Sequence, residues 1–309
     1  MRIFDEAATA RALPFGTLIE RLHSMFSVGC HVPARHVHQV RSGTDEGTVL
    51  LMPAWNDQYL GIKTVNVYPG NSNKGLPALS SSYALFDSTN GRLLAYMDGS
   101  VITSRRTAAA SALAARYLAR PASRSLLVLG AGAVGSLLPL AYREVLPIEH
   151  VEIWNRSPAS AERLAESLTE RGIPSLAVTD LRSAAGRADV VSSATLATEP
   201  VLRGDWLAPG AHVDLIGSFT PQMREADDTV FSNASLFIDT AEALQKSGDL
   251  LGPLSTGLLS ASSVIGDLAG LCRESVVGRR HASERTVFKS VGSALEDLTA
   301  AIVVYESND

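Results

Sequence analysis

The stretch Ser125 to Gly135, SLLVLGAGAVG, constrains this chain more than any other part of it. Leu126 to Leu129 form a short unbroken apolar run, as a strand buried on both faces requires, and the run opens directly into glycines spaced G-x-G-x-x-G. In that pattern Gly130 permits a tight turn, Gly132 lets the backbone approach a pyrophosphate, and Gly135 lets the next helix pack close to the strand. The helix is expected to begin near Ala133, so that Ala133, Val134 and Gly135 turn their amides toward phosphate. Glycine-rich turns also follow strands in proteins that bind no nucleotide, and the surroundings decide between the two readings. A second apolar run, Val151 to Trp154, comes one helix length later and ends in Asn155, Arg156 and Ser157, where a dinucleotide fold meets the adenosine ribose.

An Asp or Glu at that place accepts hydrogen bonds from the ribose hydroxyls of NAD. Here Asn155, Arg156 and Ser157 stand instead, and a guanidinium suits a 2′-phosphate, which points to NADPH with NADH as the weaker alternative. The competing reading is that Arg156 only meets solvent. Beyond this motif, from Pro121 onward, strand and helix patterns alternate. A charged amphipathic helix covers Pro158 to Arg171; strands are expected at Ser175 to Val178, Asp189 to Ala194, His212 to Ile216 and Leu236 to Ile238. Such a succession builds a parallel, doubly wound sheet with its ligand at the carboxyl ends of the strands, where Ala194 and Thr195 end one strand and line the cofactor.

Residues 1 to about 118 have another pattern. A helix near Phe15 to Phe26 is followed by strand-like segments at Val37 to Val40, Thr48 to Met52, Tyr59 to Val67 and Ser80 to Phe86, with turn residues between them. Neighbouring strands without helices between them imply an antiparallel or mixed sheet whose edges must be covered, so a homodimer is expected through this half. The expected division is 1–118 plus 289–309 for substrate binding and dimerisation, and 119–288 for NAD(P) binding. The fold class is therefore α/β, with a Rossmann-type doubly wound parallel sheet inserted into an α+β domain.

With 27 basic against 32 acidic residues, nothing in the balance asks for nucleic acid or an anionic membrane as partner. No apolar stretch is long enough to span a bilayer and no secretory leader pattern opens the chain, so a cytoplasmic protein is expected. Cys30 and Cys272 are far apart and lack metal-ligand spacing, which predicts reduced thiols and no metal site.

Two basic positions invite chemistry. In GIKTVNV the period of two puts Lys63 on one face with Gly61, Val65 and Val67, either as a margin lysine reaching solvent or as a lysine facing a site. Further on, Thr103 or Ser104 can cap an Ala-rich helix running to Leu118, which would put Arg105 and Arg106 in its first turn. The macrodipole disfavours cations there, and a bound carboxylate held by Arg106 would relieve the conflict.

With these residues assembled, the chain resembles the ornithine cyclodeaminase and mu-crystallin family over nearly its whole length. The resemblance rests on Val32-Pro33-Ala34-Arg35, Leu51-Met52-Pro53-Ala54-Trp55, Gly61-Ile62-Lys63, Pro69-Gly70-Asn71, Gly75-Leu76-Pro77, Ser104-Arg105-Arg106-Thr107-Ala108-Ala109, the glycine motif, and Phe288-Lys289-Ser290-Val291-Gly292. It implies a dimer whose N-terminal half carries the substrate site, completed by the C-terminal helix. By resemblance, Arg35 and Arg106 hold a substrate carboxylate, Lys63 stands near the reacting nitrogen, and Ser290 joins the cofactor set. Family members include a cyclase that deaminates ornithine to proline, alanine dehydrogenases and reductases of cyclic ketimines. The cyclase pattern has an Asp two residues before the proline of a Gly-x-x-x-Pro loop; Gly217-Ser218-Phe219-Thr220-Pro221 has Phe219 there. A phenyl ring neither accepts a proton nor offsets an ammonium charge, so the reading is NADPH-dependent reduction of a cyclic imino acid. Δ1-pyrroline-2-carboxylate, giving L-proline, is the expected substrate, with Δ1-piperideine-2-carboxylate, giving L-pipecolate, as the second. The alternatives are a lyase that recycles NAD(H) and a small-molecule binding protein without activity.

Overall fold

A computed structural model describes residues 1–42 and 45–307 of the chain. Residues 43, 44, 308 and 309 of the expected substrate domain lie outside the described residues. The chain divides into two compact units, Met1–Thr107 with Ser293–Asp309, and Ala108–Gly292. The first limit differs from 118 because it falls within the continuous helix Gly99–Leu118, and the second lies beyond 288 because the strand Arg285–Lys289 belongs to the second unit's sheet.

The first unit holds a six-stranded sheet of β1 (Arg2–Phe4), β2 (His36–Ser42), β3 (Asp45–Trp55), β4 (Tyr59–Val67), β5 (Leu79–Asp87) and β6 (Leu93–Asp98). Their order is β1-β6-β5-β4-β3-β2, antiparallel except where β1 pairs parallel with β6. Alternation along β4 buries Gly61 and Lys63 on one face, beside Met52 of β3 and Tyr83 of β5 in register. The C-terminal helix Ala294–Glu306 packs on this sheet and on the helix Phe15–Val28, whose Leu18, Ile19, Leu22 and Phe26 form its buried stripe. Short β1 and β6 were not foreseen; β6 follows the Thr89-Asn90-Gly91 turn and pairs with β5, so tertiary pairing rather than local pattern defines it.

The second unit is an eight-stranded sheet in which every pairing is parallel. Its strands are β7 (Ser125–Leu129), β8 (His150–Trp154), β9 (Ser175–Ala177), β10 (Val190–Ser193), β11 (His212–Leu215), β12 (Ala234–Ile238), β13 (Val264–Asp267) and β14 (Arg285–Lys289). The order β13-β12-β14-β11-β10-β7-β8-β9 reverses direction between β7 and β10, which makes their carboxyl ends a topological switch point. The fold is the Rossmann-type α/β arrangement, inserted in the chain between the two segments of the first unit. The helix expected from Ala133 becomes regular only at Leu138–Tyr142; residues 133 to 137 form turns, since Pro139 has no N–H to donate to Gly135.

Among the strands, β11 begins with a fully buried histidine. His212 Nδ1 lies 3.0 Å from the Thr286 hydroxyl, while Nε2 has no partner among the described residues. Burial, with a smaller push from Arg279, lowers its pKa to about 3, so the folded chain keeps the ring neutral. The unfolded chain binds a proton near pH 6.5 and the folded one does not, hence His212 removes stability as pH falls through that value. Measured by urea unfolding, the stability advantage of wild type over His212→Asn is expected to shrink from pH 7.5 to pH 5.5, with a slope approaching about 1.4 kcal/mol per pH unit below 6.5. A difference that does not change with pH would mean that the native ring is not held neutral.

Candidate functional site

Within the first unit, Lys63 and Arg106 meet on two carboxylates. Lys63 Nζ is 2.6 Å from Asp297 Oδ2 and 3.4 Å from the Thr103 hydroxyl. Arg106 donates through Nε to Asp297 Oδ1 at 2.9 Å and through Nη1 to Glu296 Oε2 at 2.5 Å. All four are nearly or wholly inaccessible: Lys63 is 3% exposed, Arg106 6%, Glu296 1% and Asp297 0%. Lys63 therefore does not reach solvent as a margin lysine would.

The helices explain the arrangement. The helix Gly99–Leu118 starts earlier than Thr103, and Asp98 Oδ1 accepts from Val101 N at 2.8 Å, so Arg106 stands in its second turn. The macrodipole argument for a bound anion there fails, because the dipole's influence fades beyond the first turn and protein carboxylates already offset the charge. Arg105 turns away, donating twice to the Leu13 carbonyl and stacking on Phe15. Glu296 and Asp297 occupy the first turn of the C-terminal helix, which Ser293 caps by accepting from Leu295 N, and there the dipole favours anions. Sequence reading missed both acids. Their signal was two adjacent acidic residues on a helix buried from Ala294 to Val304.

Burial lowers the pKa of the Lys63 ammonium, and the nearby Asp297 only partly offsets that. For Asp297 burial acts upward, but Lys63 and Arg106 outweigh it and hold the carboxyl below its ordinary range. The result is an ionised bridge beside a lysine that gives up its proton more readily than a free one. Arg106 Nη2 donates to no described residue. Arg35 lies half-buried just ahead of β2.

In the second unit, a cavity of about 290 Å³ opens at the switch point. Gly130, Gly132, Asn155, Arg156, Ala194 and Thr195 of the expected cofactor set line it, together with Ala131, Trp154, Leu196, Ala197 and Val201, which were not foreseen. Gly130 has φ +104° and a Cβ there would stand 2.5 Å from the Ala194 carbonyl oxygen; a Cβ on Gly135 would stand 2.0 Å from that of Gly130. Gly132 differs, for a Cβ on it would meet nothing within 4 Å. The chain's own backbone thus demands the outer two glycines, while the middle one keeps space open for a ligand, as a dinucleotide pyrophosphate requires. Asn155 fastens the turn, accepting from Ala131 N at 3.3 Å and donating to the Ser157 carbonyl. Arg156 is exposed on the cavity rim with no partner among the described residues. Ala133, Val134, Gly135 and Ser157 do not line this cavity, nor does Ser290, which is buried and donates its N–H to the Leu215 carbonyl. Phe219 is 46% exposed on the loop after β11. Among the described residues no cluster of His, Cys, Asp or Glu could hold a metal ion, and no helix is long and apolar enough to cross a membrane.

The model of the ornithine cyclodeaminase/mu-crystallin family matches residues 14–309. A Δ1-pyrroline-2-carboxylate reductase of Paracoccus denitrificans is 44% identical over 276 residues, covering 88% of this chain and 87% of the relative. The ketimine reductase mu-crystallin of Rattus norvegicus is 40% identical over 266 residues, covering 84% and 80%. Among solved structures, Δ1-pyrroline-2-carboxylate reductase of Thermococcus litoralis, in complex with NADH and L-proline, superposes with a TM-score of 0.92 at 32% identity, covering 99% of this chain and 97% of that one.

The glycine geometry separates two substitutions. Gly132→Ala is expected to leave the thermal midpoint nearly unchanged yet weaken dinucleotide binding about tenfold or more, because the added methyl enters ligand space. Gly135→Ala is expected to lower the midpoint, since its methyl meets a carbonyl that cannot move without the turn. Calorimetric melting and dinucleotide titration of both variants check this, and equal effects on the two readouts would contradict it.

Proposed function

The chain belongs to the ornithine cyclodeaminase/mu-crystallin family, and on that premise we propose that it reduces the C=N bond of a cyclic imino acid, Δ1-pyrroline-2-carboxylate above all, to L-proline. It is an NAD(P)H-dependent oxidoreductase of the class acting on C=N and CH–NH groups. The observation that carries the finer reading is the buried Lys63–Asp297–Arg106 bridge. A dinucleotide held in the cavity lined by Gly130, Gly132, Arg156 and Thr195 would supply the hydride for reduction at the substrate's C2 carbon. Lys63 Nζ gives a proton or hydrogen bond to the ring nitrogen, and its lowered pKa matches that task. Asp297 keeps the Lys63 amine aimed and remains ionised against Arg106 when the proton leaves. Arg106, with Nε and Nη1 occupied, offers Nη2 to the substrate carboxylate, and Arg35 supplies a second cation.

Phe219 supports reduction over ornithine cyclisation. A second substrate ammonium would have to be desolvated, and no carboxylate stands at that position to receive it. Arg156, with no partner among the described residues, supports NADPH through its 2′-phosphate; the NADH bound to the Thermococcus litoralis relative keeps NADH as the second reading. A second copy of the chain is the proposed partner. On the sheet face opposite Lys63, apolar side chains stay partly accessible, with Trp55 37% and Tyr96 45% exposed.

Purified protein is expected to oxidise NADPH with Δ1-pyrroline-2-carboxylate and to release no ammonia from ornithine above background. Ornithine turnover to proline faster than ketimine reduction would replace this reading with the lyase. For the cofactor, Arg156→Ala should weaken NADPH binding by roughly 1.5 to 3 kcal/mol and leave NADH nearly untouched, as loss of a charge-assisted hydrogen bond predicts. Calorimetric titration with both cofactors tests it, and an equal loss for the two removes Arg156 from phosphate recognition.

A further inference from the structure

Glu225 is fully buried, and its carboxylate gathers donors from the ends of two adjacent strands. Oε1 accepts from the Ser193 hydroxyl at 2.6 Å, from Thr195 N at 2.7 Å and from the Thr195 hydroxyl at 2.8 Å. Oε2 accepts from Gly217 N. The backbone of the same residue is fastened too. Its carbonyl accepts from Val201 N and Leu202 N, both at 2.9 Å, and its N–H donates to Asp249 Oδ1 at 2.8 Å. The two strand ends are in direct contact, since a Cβ on Gly217 would stand 1.9 Å from the Thr195 carbonyl oxygen.

These partners belong to two different functional surfaces of the second unit. Thr195, Ala197 and Val201 line the dinucleotide cavity. Gly217 is the root of the loop that presents Phe219, and Arg224 N, near its far end, donates to the Ala197 carbonyl at 2.8 Å. Only an acceptor-only group satisfies four converging donors; a carboxamide would turn its NH₂ against one of them. We propose that Glu225 is a positioning residue that holds the dinucleotide wall at Thr195 and the Phe219 loop in one register, so that cofactor affinity and substrate selectivity change together when it is lost. The selectivity half rests on the ketimine reductase reading; the dinucleotide half does not.

The test compares wild type with Glu225→Gln and Ser193→Ala, the second removing one donor without touching the cavity lining. Dinucleotide binding is read by NADPH titration against intrinsic tryptophan fluorescence, with Trp154 on the cavity wall. Glu225→Gln is expected to raise the Kd about tenfold or more and Ser193→Ala about threefold, in line with loss of charge-assisted hydrogen bonds. The ratio of kcat/KM for pyrroline- over piperideine-2-carboxylate should shift with Glu225→Gln by roughly threefold or more, a fraction of the roughly 10- to 200-fold that one methylene in a pocket can carry. Amide hydrogen exchange at Ser218 and Phe219 should accelerate in both variants. A merely structural role would lower the melting temperature and the active fraction but leave Kd, ratio and loop exchange as in wild type, and that result overturns the proposal. So does a raised Kd with an unchanged ratio and unchanged loop exchange. If Glu225→Gln fails to fold, Ser193→Ala decides by the same readouts. Should wild type reduce no ketimine, the functional reading falls, and Kd with loop exchange still judges Glu225.

Discussion

The buried bridge of Lys63, Asp297, Arg106 and Glu296 is the interaction on which the first unit depends. Its members come from β4, from the helix Gly99–Leu118 and from the C-terminal helix, so the last segment of the chain must return before the charges are matched. Here each buried charge is matched by an opposite one, and removing one leaves its partner desolvated at about 3–5 kcal/mol. The bridge therefore specifies where the C-terminal helix lies, and the apolar packing of that helix from Ala294 to Val304 supplies the stabilisation that an ion pair alone would not. For the same reason Arg106→Ala is a poor probe of substrate binding, because lost activity and a lost fold would coincide.

That dependence also shows what the sequence could and could not reveal. The glycine motif was legible because each glycine answers to atoms a few residues away or to a strand it adjoins, and local spacing carries that information. Lys63 and Arg106 were legible as residue types at particular places. Their partners were not, since the contact between Arg106 and Asp297 spans 191 positions and no periodicity marks it. The start of the arginine-bearing helix was misjudged for a physical reason. Gly99 and Ser100 are weak helix formers, yet β6 ends at Asp98, whose side chain caps the turn and draws them into the helix. The macrodipole argument rested on that boundary and fell with it, while Arg106 itself kept its place at the centre of the cluster.

The second unit handles buried charge differently. Lys289 is wholly buried and donates to the Leu215 carbonyl, with Asp249 Oδ2 at 3.6 Å, while Glu225, Asp239 and Asp214 are buried in the same unit. One ammonium does not balance them, and desolvation dominates: Glu225 is pushed up to about 7 and Asp214 to about 6. Hydrogen bonds rather than counter-charges make these carboxyls tolerable, four on Glu225 and two on Asp214 from Tyr142 and Ser192.

The sign of the resulting linkage opposes that of His212. A carboxyl whose folded pKa is raised contributes stability that is fully present below its unfolded pKa and is lost as pH rises through the folded one, here about 6 to 7. His212, held near 3, acts in the other direction across the same interval, since its contribution is present above 6.5 and lost below. The two effects offset one another through the mildly acidic range, so a nearly level stability profile there is not evidence that these groups are silent. It is the sum of opposed titrations, two of them on the one strand β11, which single substitutions pull apart.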